Sequence, residues 1–143
     1  MDRRTFLAGA AGTVSVSLAG CLGAVVPSPV RKGDWDVAMK HNAFDPTKLT
    51  VSAGTTVTWK NTTQRAHTVT AYEDGIPDGA SYFASGGFSN EHEARKEWAD
   101  DLKGLIQVGE TYEHTFTVPG TYNYFCIPHE SHGMVGQVIV TEK

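Results

Sequence analysis

The chain has 143 residues, of which 40% are hydrophobic and 20% are charged. This length and composition fit one globular domain, and they exclude a largely disordered or fibrous protein. Twelve basic and sixteen acidic residues give a formal net charge of -4, and no basic run is dense enough to follow a phosphate backbone, so we expect no nucleic-acid partner.

The first twenty residues have the pattern of an export signal. Arg3 and Arg4 precede a small-residue apolar run that leads to Cys21. The run is too short, and too rich in Gly and Ser, to favour a membrane-spanning helix. The arginine pair resembles a twin-arginine signal, and "LAGC" resembles a lipobox, in which the cysteine is lipidated after cleavage. We therefore predict that residues 1–20 are a signal and that Cys21 carries lipid, although a plain apolar residue is the alternative for Cys21.

The next segment, residues 21–33, predicts a tether. It contains two prolines close together and no amphipathic period. We expect it to hold the domain, residues 34–143, away from a membrane. A lipid on Cys21 would place the chain at the outer face of the cytoplasmic membrane.

From residue 34 the chain consists of short segments in which alternate residues are apolar, separated by turn signals. This alternation predicts half-buried antiparallel strands, and seven or eight of them make an all-β sandwich or small barrel. The segments are "WDVAM", "KLTVSAG", "TTVTWKN", "HTVTAY", "YEHTFTVPG", "TYNYFC" and "GQVIVTE".

Residues 72–110 interrupt the strands, and we call this segment the excursion. It is turn-rich at first, and "EHEARKEWADDLKG" then predicts a short helix closed by Gly104. Nine acidic residues stand there against three basic ones, which indicates either a solvated, salt-tolerant surface or an electrostatic docking site. Its aromatic side chains either pin it against the sheet, or cap the loop that follows the segment "TYNYFC", or contact a partner: Tyr82, Phe83 and Phe88.

A short loop after the strand "TYNYFC" carries Cys126, His129 and Met134. If Cys21 is lipidated, Cys126 is the only remaining thiol and no internal disulfide can form. Thiolate and thioether favour copper, and two imidazoles, one thiolate and a weak axial methionine are the blue-copper ligands. His67, just after the turn "NTTQR", is the best candidate for the second imidazole, because it begins a predicted strand.

Each of these residues also has a structural interpretation when taken singly. Met134 fits core packing, Cys126 a buried small hydrophobe and His129 a loop position. Their joint spacing favours the metal site. His132 lies between two of the ligands and could replace one of them. The remaining histidines are predicted to be structural or solvated: His114 on a strand, and His41 and His92 at the surface.

The segments "HTVT", "FDPTKLTVSAGTTVTWKN" and "VPGTYNYFCIPHESHGMVGQVIV" resemble cupredoxins of the plastocyanin type over most of residues 34–143. The signal, the lipobox and "YFASGGF" resemble halocyanins, the membrane-tethered blue copper proteins of halophilic archaea. The resemblance implies a cupredoxin-like Greek-key sandwich or barrel with one copper ion. It implies four copper ligands: His67, Cys126, His129 and Met134.

Two positions depart from the family pattern. Thr68 stands where family members commonly have Asn, so we expect the side-chain tie between the two ligand loops to be missing. Phe125 stands where plastocyanins have Tyr before the cysteine.

The resemblance also implies a one-electron carrier and not an enzyme. Its partners would be redox proteins of a respiratory or photosynthetic membrane chain, and we expect a monomer anchored by its lipid. Electrons are expected to cross at the edge of His129, within an apolar patch formed by Ile127, Pro128, Met134 and Val135. A protein that delivers or stores copper for an oxidase is the main alternative. An open catalytic copper centre is a further one, but the sequence holds no second cluster of histidines or cysteines.

Overall fold

The computed structural model describes residues 34–143. The predictions of a signal over residues 1–20, of a tether over residues 21–33 and of lipidation at Cys21 fall outside this range. Across the described residues, no helix is both long and apolar enough to cross a membrane.

Two four-stranded sheets pack across a common core. The first sheet has the strand order β2-β1-β4-β6, formed by β1 (Val37–Met39), β2 (Phe44–Asp45), β4 (Thr55–Asn61) and β6 (Thr111–Phe116). The second has the order β3-β8-β7-β5, formed by β3 (Lys48–Ser52), β5 (Thr70–Ala71), β7 (Gly120–Phe125) and β8 (Val135–Thr141). The predicted all-β sandwich is therefore confirmed, and β2 brings the described strands to eight.

The prediction that the strands are antiparallel is wrong for two pairs. Strand β1 runs parallel to β4, and β3 runs parallel to β8. The alternation of apolar residues shows which face of a strand is buried, but it is the same for either direction of the neighbouring strand. Parallel pairs need long crossovers, and here the chain supplies them by passing from one sheet to the other.

The core lies between the sheets and is rich in aromatic side chains. Val57 and Trp59 of β4 are fully buried, as are Tyr124 of β7 and Val138 of β8. Val57 and Trp59 are alternate residues of one strand, as the predicted half-buried pattern requires. The Trp59 ring lies 5.4 Å from the ring of Tyr124 with an edge-to-face arrangement, which joins the two sheets.

The excursion contains one α-helix, α1 (Glu91–Asp101). It ends at Leu102, which adopts a left-handed backbone with φ 55 and donates its N–H to the Trp98 carbonyl. The prediction that Gly104 closes the helix is therefore wrong. Gly104 is needed for a close approach of the backbone to Ser85, because a Cβ at position 104 would lie 2.7 Å from the Ser85 carbonyl oxygen. Glycine allows the chain to pass Ser85 at this distance.

Aromatic side chains of the excursion are anchored to the sandwich. Phe83 is 2% exposed and belongs to the core cluster. The Tyr82 hydroxyl donates to the Ala71 carbonyl of β5 at 2.8 Å. The pinning interpretation is therefore confirmed for these two residues, whereas Phe88 stays half-buried.

His114 is a structural strand histidine, as predicted. Its ring stacks on Phe83 with the centroids 4.6 Å apart and meets the edge of Phe116 at 4.7 Å. Burial lowers the pKa of His114. The folded state therefore binds a proton on this ring less readily than the unfolded state does.

We expect this histidine to make the unfolding free energy pH-dependent. Its stabilisation is present above the unfolded pKa of about 6.5 and is lost as the pH falls below that value. In urea unfolding of the metal-free chain, His114→Gln should therefore show a shallower loss of stability on acidification than the parent. His92→Gln, at an exposed position, should follow the parent, and identical slopes for parent and His114→Gln would refute the assignment.

Candidate metal centre

Three of the predicted ligands meet at one end of the sandwich. The Cys126 sulfur lies 3.5 Å from Nδ1 of His67 and 3.4 Å from Nδ1 of His129. One ligand atom from each residue lies within 4.8 Å of the others. His67 and Cys126 are 0% exposed and His129 is 6% exposed. The site is therefore assembled and screened from solvent.

The loop after β7 holds three of the donors by backbone hydrogen bonds. Cys126 follows the last residue of β7, and His129 lies in a 3-10 helix, Ile127–His132. The Cys126 N–H donates to the Met134 carbonyl at 3.1 Å, and the Met134 N–H donates to the His129 carbonyl at 3.2 Å. Met134 is fully buried. The thioether is thus enclosed within the same loop as the thiol.

His67 comes from the other side of the site. The prediction that His67 begins a strand is wrong, because β5 starts three residues later, at Thr70. Instead its carbonyl accepts from the Ile106 N–H at 2.8 Å, as an isolated β-bridge. The Thr63 hydroxyl lies 3.1 Å from Nε2 of the ring, so Nδ1 is left for the sulfur side. Such a partner on the remote nitrogen fixes the orientation of a ligating histidine.

The electrostatic setting keeps these donors neutral without a metal. Burial raises the pKa of the Cys126 thiol to about 11. Burial, followed by the positive charges of His129 and Arg65, lowers the pKa of His67 to about 4. At neutral pH the imidazoles are therefore ready to coordinate, whereas the thiol must lose a proton when a metal binds.

Thr68 ties the two ligand segments together. Its N–H donates to the Cys126 sulfur at 3.4 Å. Its hydroxyl accepts from the Ile127 N–H at 2.9 Å. The expectation that the side-chain tie is missing is therefore wrong. A threonine hydroxyl is short, but the segments approach closely enough for it to reach the N–H after the cysteine.

We expect Thr68→Val to loosen the site. Valine keeps the shape but leaves the Ile127 N–H without its acceptor, which costs about 1–3 kcal/mol of folding free energy. Copper affinity should fall roughly 10–100-fold, as for other groups that support ligands. Competitive titration with a chelator measures the affinity. Thr115→Val removes an exposed hydroxyl that pairs with Thr56, and it should leave the affinity unchanged. Equal affinities for both variants would contradict this role.

Arg65 is a residue of the site that the sequence analysis missed. Its guanidinium Nη2 lies 3.0 Å from Nε2 of His129, and its Nη1 lies 2.9 Å from Nε2 of His41. The outer edge of His129 is therefore covered by a cation and not framed by apolar groups alone. Of the predicted apolar patch, Met134 is fully buried, whereas Val135 is 40% exposed. Position alone gave a signal, since Arg65 stands two residues before His67.

The excursion is fastened to the ligand loop through Glu130. Arg95 of α1 donates to both carboxylate oxygens of Glu130, at 2.9 and 3.2 Å, and the Tyr72 hydroxyl donates to one of them at 2.6 Å. Phe125 lies beneath, stacked on Tyr72 at 4.3 Å, with the Arg95 guanidinium 4.3 Å from its ring centroid. The residue that replaces the plastocyanin tyrosine is thus fully buried.

The other histidines lie outside the cluster of donor atoms in the described part of the chain. His132 is exposed, and its ring centroid is 6.3 Å from that of His129. His41 and His92 are exposed, as predicted. The structure therefore brings together His67, Cys126 and His129 and gives His132 no place among them.

The donor set fits copper. One thiol and two imidazoles converge, and a buried thioether lies in the same loop, which matches the soft and borderline donors that copper prefers. A β-sandwich that carries such a set at one end defines a cupredoxin.

Comparison with known proteins agrees with this class. Residues 32–141 match the family described as "Copper binding proteins, plastocyanin/azurin family". The chain is 38% identical over 98 residues to the chloroplastic plastocyanin minor isoform of Arabidopsis thaliana, covering 68% of this chain and 50% of that protein. It is 38% identical over 111 residues to a plastocyanin of Scenedesmus fuscus, covering 73% and 99%. This chain belongs to the plastocyanin/azurin family.

Solved structures show the same fold. The Cu(I) form of an amicyanin variant superposes with a TM-score of 0.53 at 28% identity, covering 79% of this chain and 87% of that one. A pseudoazurin from Sinorhizobium meliltoi gives 0.53 at 26% identity, covering 74% and 72%. The chain spans 50% of the Arabidopsis thaliana minor isoform and 54% of a chloroplastic plastocyanin of Hordeum vulgare.

Proposed function

We propose that this protein is a one-electron carrier with a single blue copper ion, held by His67, Cys126, His129 and Met134. The observation that supports this most is the convergence of the thiol and two imidazoles in a buried site. Copper, when bound, supplies a one-electron couple between Cu(I) and Cu(II). Membership of a copper-binding family supports the choice of metal.

The chain's own residues suit such a carrier. Cys126 is fixed by β7 and by the Met134 carbonyl, and His67 is fixed by its bridge to Ile106 and by Thr63. Donors held from both sides change position little when the charge of the site changes, which keeps the cost of electron transfer low. The burial of these donors excludes water. Copper delivery would need ready transfer of the metal to an acceptor, and a buried site does not favour such transfer.

Voltammetry of the copper-loaded full chain tests the proposed carrier. A carrier should give a reversible one-electron wave that persists over repeated cycles without loss of copper. Loss of copper on reduction would instead indicate delivery, and the absence of a wave would contradict electron transfer.

We propose further that the carrier is a monomer of the halocyanin type, exported and tethered through lipid on Cys21 at the outer face of the cytoplasmic membrane. The arginine pair, the lipobox-like "LAGC" and the proline-containing segment support this. Its partners would then be redox proteins of a respiratory or photosynthetic chain. Fractionation of cells, with mass spectrometry of the mature N-terminus, tests the anchor. Cys21→Ala should move the protein from membranes to the soluble fraction, and unchanged membrane retention would contradict it.

We expect Met134→Leu to retain copper and to change the reduction potential. Leucine fills a similar volume but removes the sulfur, which acts as a weak axial ligand in blue-copper sites. The potential is read by voltammetry and the copper content by metal analysis. Loss of copper from the variant would show that the thioether is a main ligand.

A further inference from the structure

The Arg65 side chain covers the outer edge of His129 in an arrangement that lacks a negative partner. Its Nε and Nη2 lie 3.3 and 3.0 Å from Nε2 of His129. Its Nη1 contacts His41, a second group that can become positive. Within residues 34–143, Arg65 forms no ion pair, whereas the three basic residues of the excursion are all paired with acids: Arg95, Lys96 and Lys103.

The carboxylate next to His129 in the sequence does not pair with Arg65. Glu130 follows His129 directly, but it accepts two hydrogen bonds from Arg95 and one from Tyr72. Glu130, the only acid among residues 126–134, is therefore paired with residues of the excursion and not with the groups at the edge of His129. The permanent charge at this edge is the positive charge of Arg65, although the chain as a whole is acidic.

Coordination through Nδ1 changes what the outer nitrogen of His129 can do. Nδ1 is the atom that faces the Cys126 sulfur. A neutral imidazole that uses Nδ1 as a ligand carries its proton on Nε2, which then donates. A guanidinium also only donates. With copper bound, the Arg65 guanidinium and Nε2 of His129 would therefore both be hydrogen-bond donors directed at the same place. An oxygen anion placed there would accept from both.

We propose that Arg65 and Nε2 of His129 together form a docking site for a surface carboxylate of an acidic redox partner. This inference rests on the proposed electron-carrier function. A shallow groove of about 250 Å³ lies beside Arg65 and is lined in part by Leu105 and Val108. Val108 is 54% exposed. The partner surface that fits is thus a carboxylate next to apolar side chains, with the carboxylate placed against Arg65 and Nε2 of His129.

Small redox probes of opposite charge test the site. The Cu(I)-loaded full chain is oxidised to Cu(II) by hexacyanoferrate(III), a trianion, or by tris(phenanthroline)cobalt(III), a trication, and for each oxidant the rates of the variants are compared with that of the parent. Arg65→Gln should slow the reaction with the anion roughly fivefold at low salt and should not slow the reaction with the cation. Arg65→Lys should restore part of the rate. Lys143→Gln makes the same charge change beyond the far end of β8, and it should have little effect.

A measurement without electron transfer separates this site from the function it rests on. In the Cu(I)-loaded chain, the redox-inert trianion hexacyanochromate(III) should broaden the NMR signals of Arg65, His41 and the His129 Nε2–H, and Arg65→Gln should abolish that broadening. Broadening elsewhere, or equal rate losses in Arg65→Gln and Lys143→Gln, would overturn the proposal. Slow reactions with both probes in every variant, with the broadening intact, would count against the carrier function and leave the anion site standing.

Discussion

Cys126→Ser is expected to abolish the blue copper site. The serine hydroxyl is a hard donor that keeps its proton at neutral pH, so it replaces neither the softness nor the charge of the thiolate. Removal of a supporting group costs 10–100-fold in metal affinity, and removal of the central ligand should cost more than roughly 100-fold. Copper content after dialysis against a chelator, together with the visible spectrum, measures the loss.

The matched control for this substitution is His132→Gln. It removes an exposed imidazole from the same loop, and the structure gives that imidazole no place among the donor atoms. The variant should bind copper like the parent and show the same visible band. A colourless His132→Gln protein, or a coloured Cys126→Ser protein, would mean that the ligands are wrongly assigned.

Phe83→Ala is expected to cause a large loss of stability. Phe83 belongs to the excursion, yet its ring is 2% exposed and contacts the rings of His114 at 4.6 Å and Phe116 at 5.2 Å. Truncation of such a side chain removes its buried area and leaves a cavity, at a cost of about 3–5 kcal/mol. Urea unfolding of the metal-free chain measures this.

Phe88→Ala separates anchoring from a general loss of aromatic surface. Phe88 lies in the same excursion but is only half-buried. We expect a clearly smaller loss of unfolding free energy than for Phe83→Ala. If the two losses were equal, Phe83 would not be the residue that fixes the excursion to the sandwich.

The metal donors could be predicted from sequence because their chemistry and their spacing are both local. Cys126, His129 and Met134 belong to one loop, so no knowledge of the fold is needed to bring them together. His67 required an additional step, since a turn before an apolar segment suggested a neighbouring strand. In the structure His67 does lie beside Cys126, but the strand begins at Thr70.

The contacts that support the site could not be predicted in the same way. Arg95 reaches Glu130 across 35 positions, and Thr68 reaches Ile127 across 59. Such pairs depend on how the sheets are ordered and on which segments cross between them. The alternation of apolar residues fixes the buried face of each strand and leaves its neighbours open. This is also why the two parallel pairs were not foreseen.

Which charged residues form ion pairs is known only from the structure. The acidic residues are concentrated in the excursion, but its three basic residues form ion pairs there, and one of them, Arg95, also takes up Glu130. Arg65, which forms no ion pair within residues 34–143, lies at the metal end and contacts His129. Composition shows that the chain is acidic, whereas the charged side chain at the proposed electron exit, Arg65, is positive.

The electron paramagnetic resonance and visible spectra of the Cu(II)-loaded full chain examine the proposed ligands together. If His67, Cys126, His129 and Met134 hold one copper ion, the protein should be intensely coloured by a thiolate-to-copper band and should show the small copper hyperfine splitting of a blue site. A pale protein with the wide splitting of an ordinary tetragonal copper centre would contradict coordination by the Cys126 thiolate.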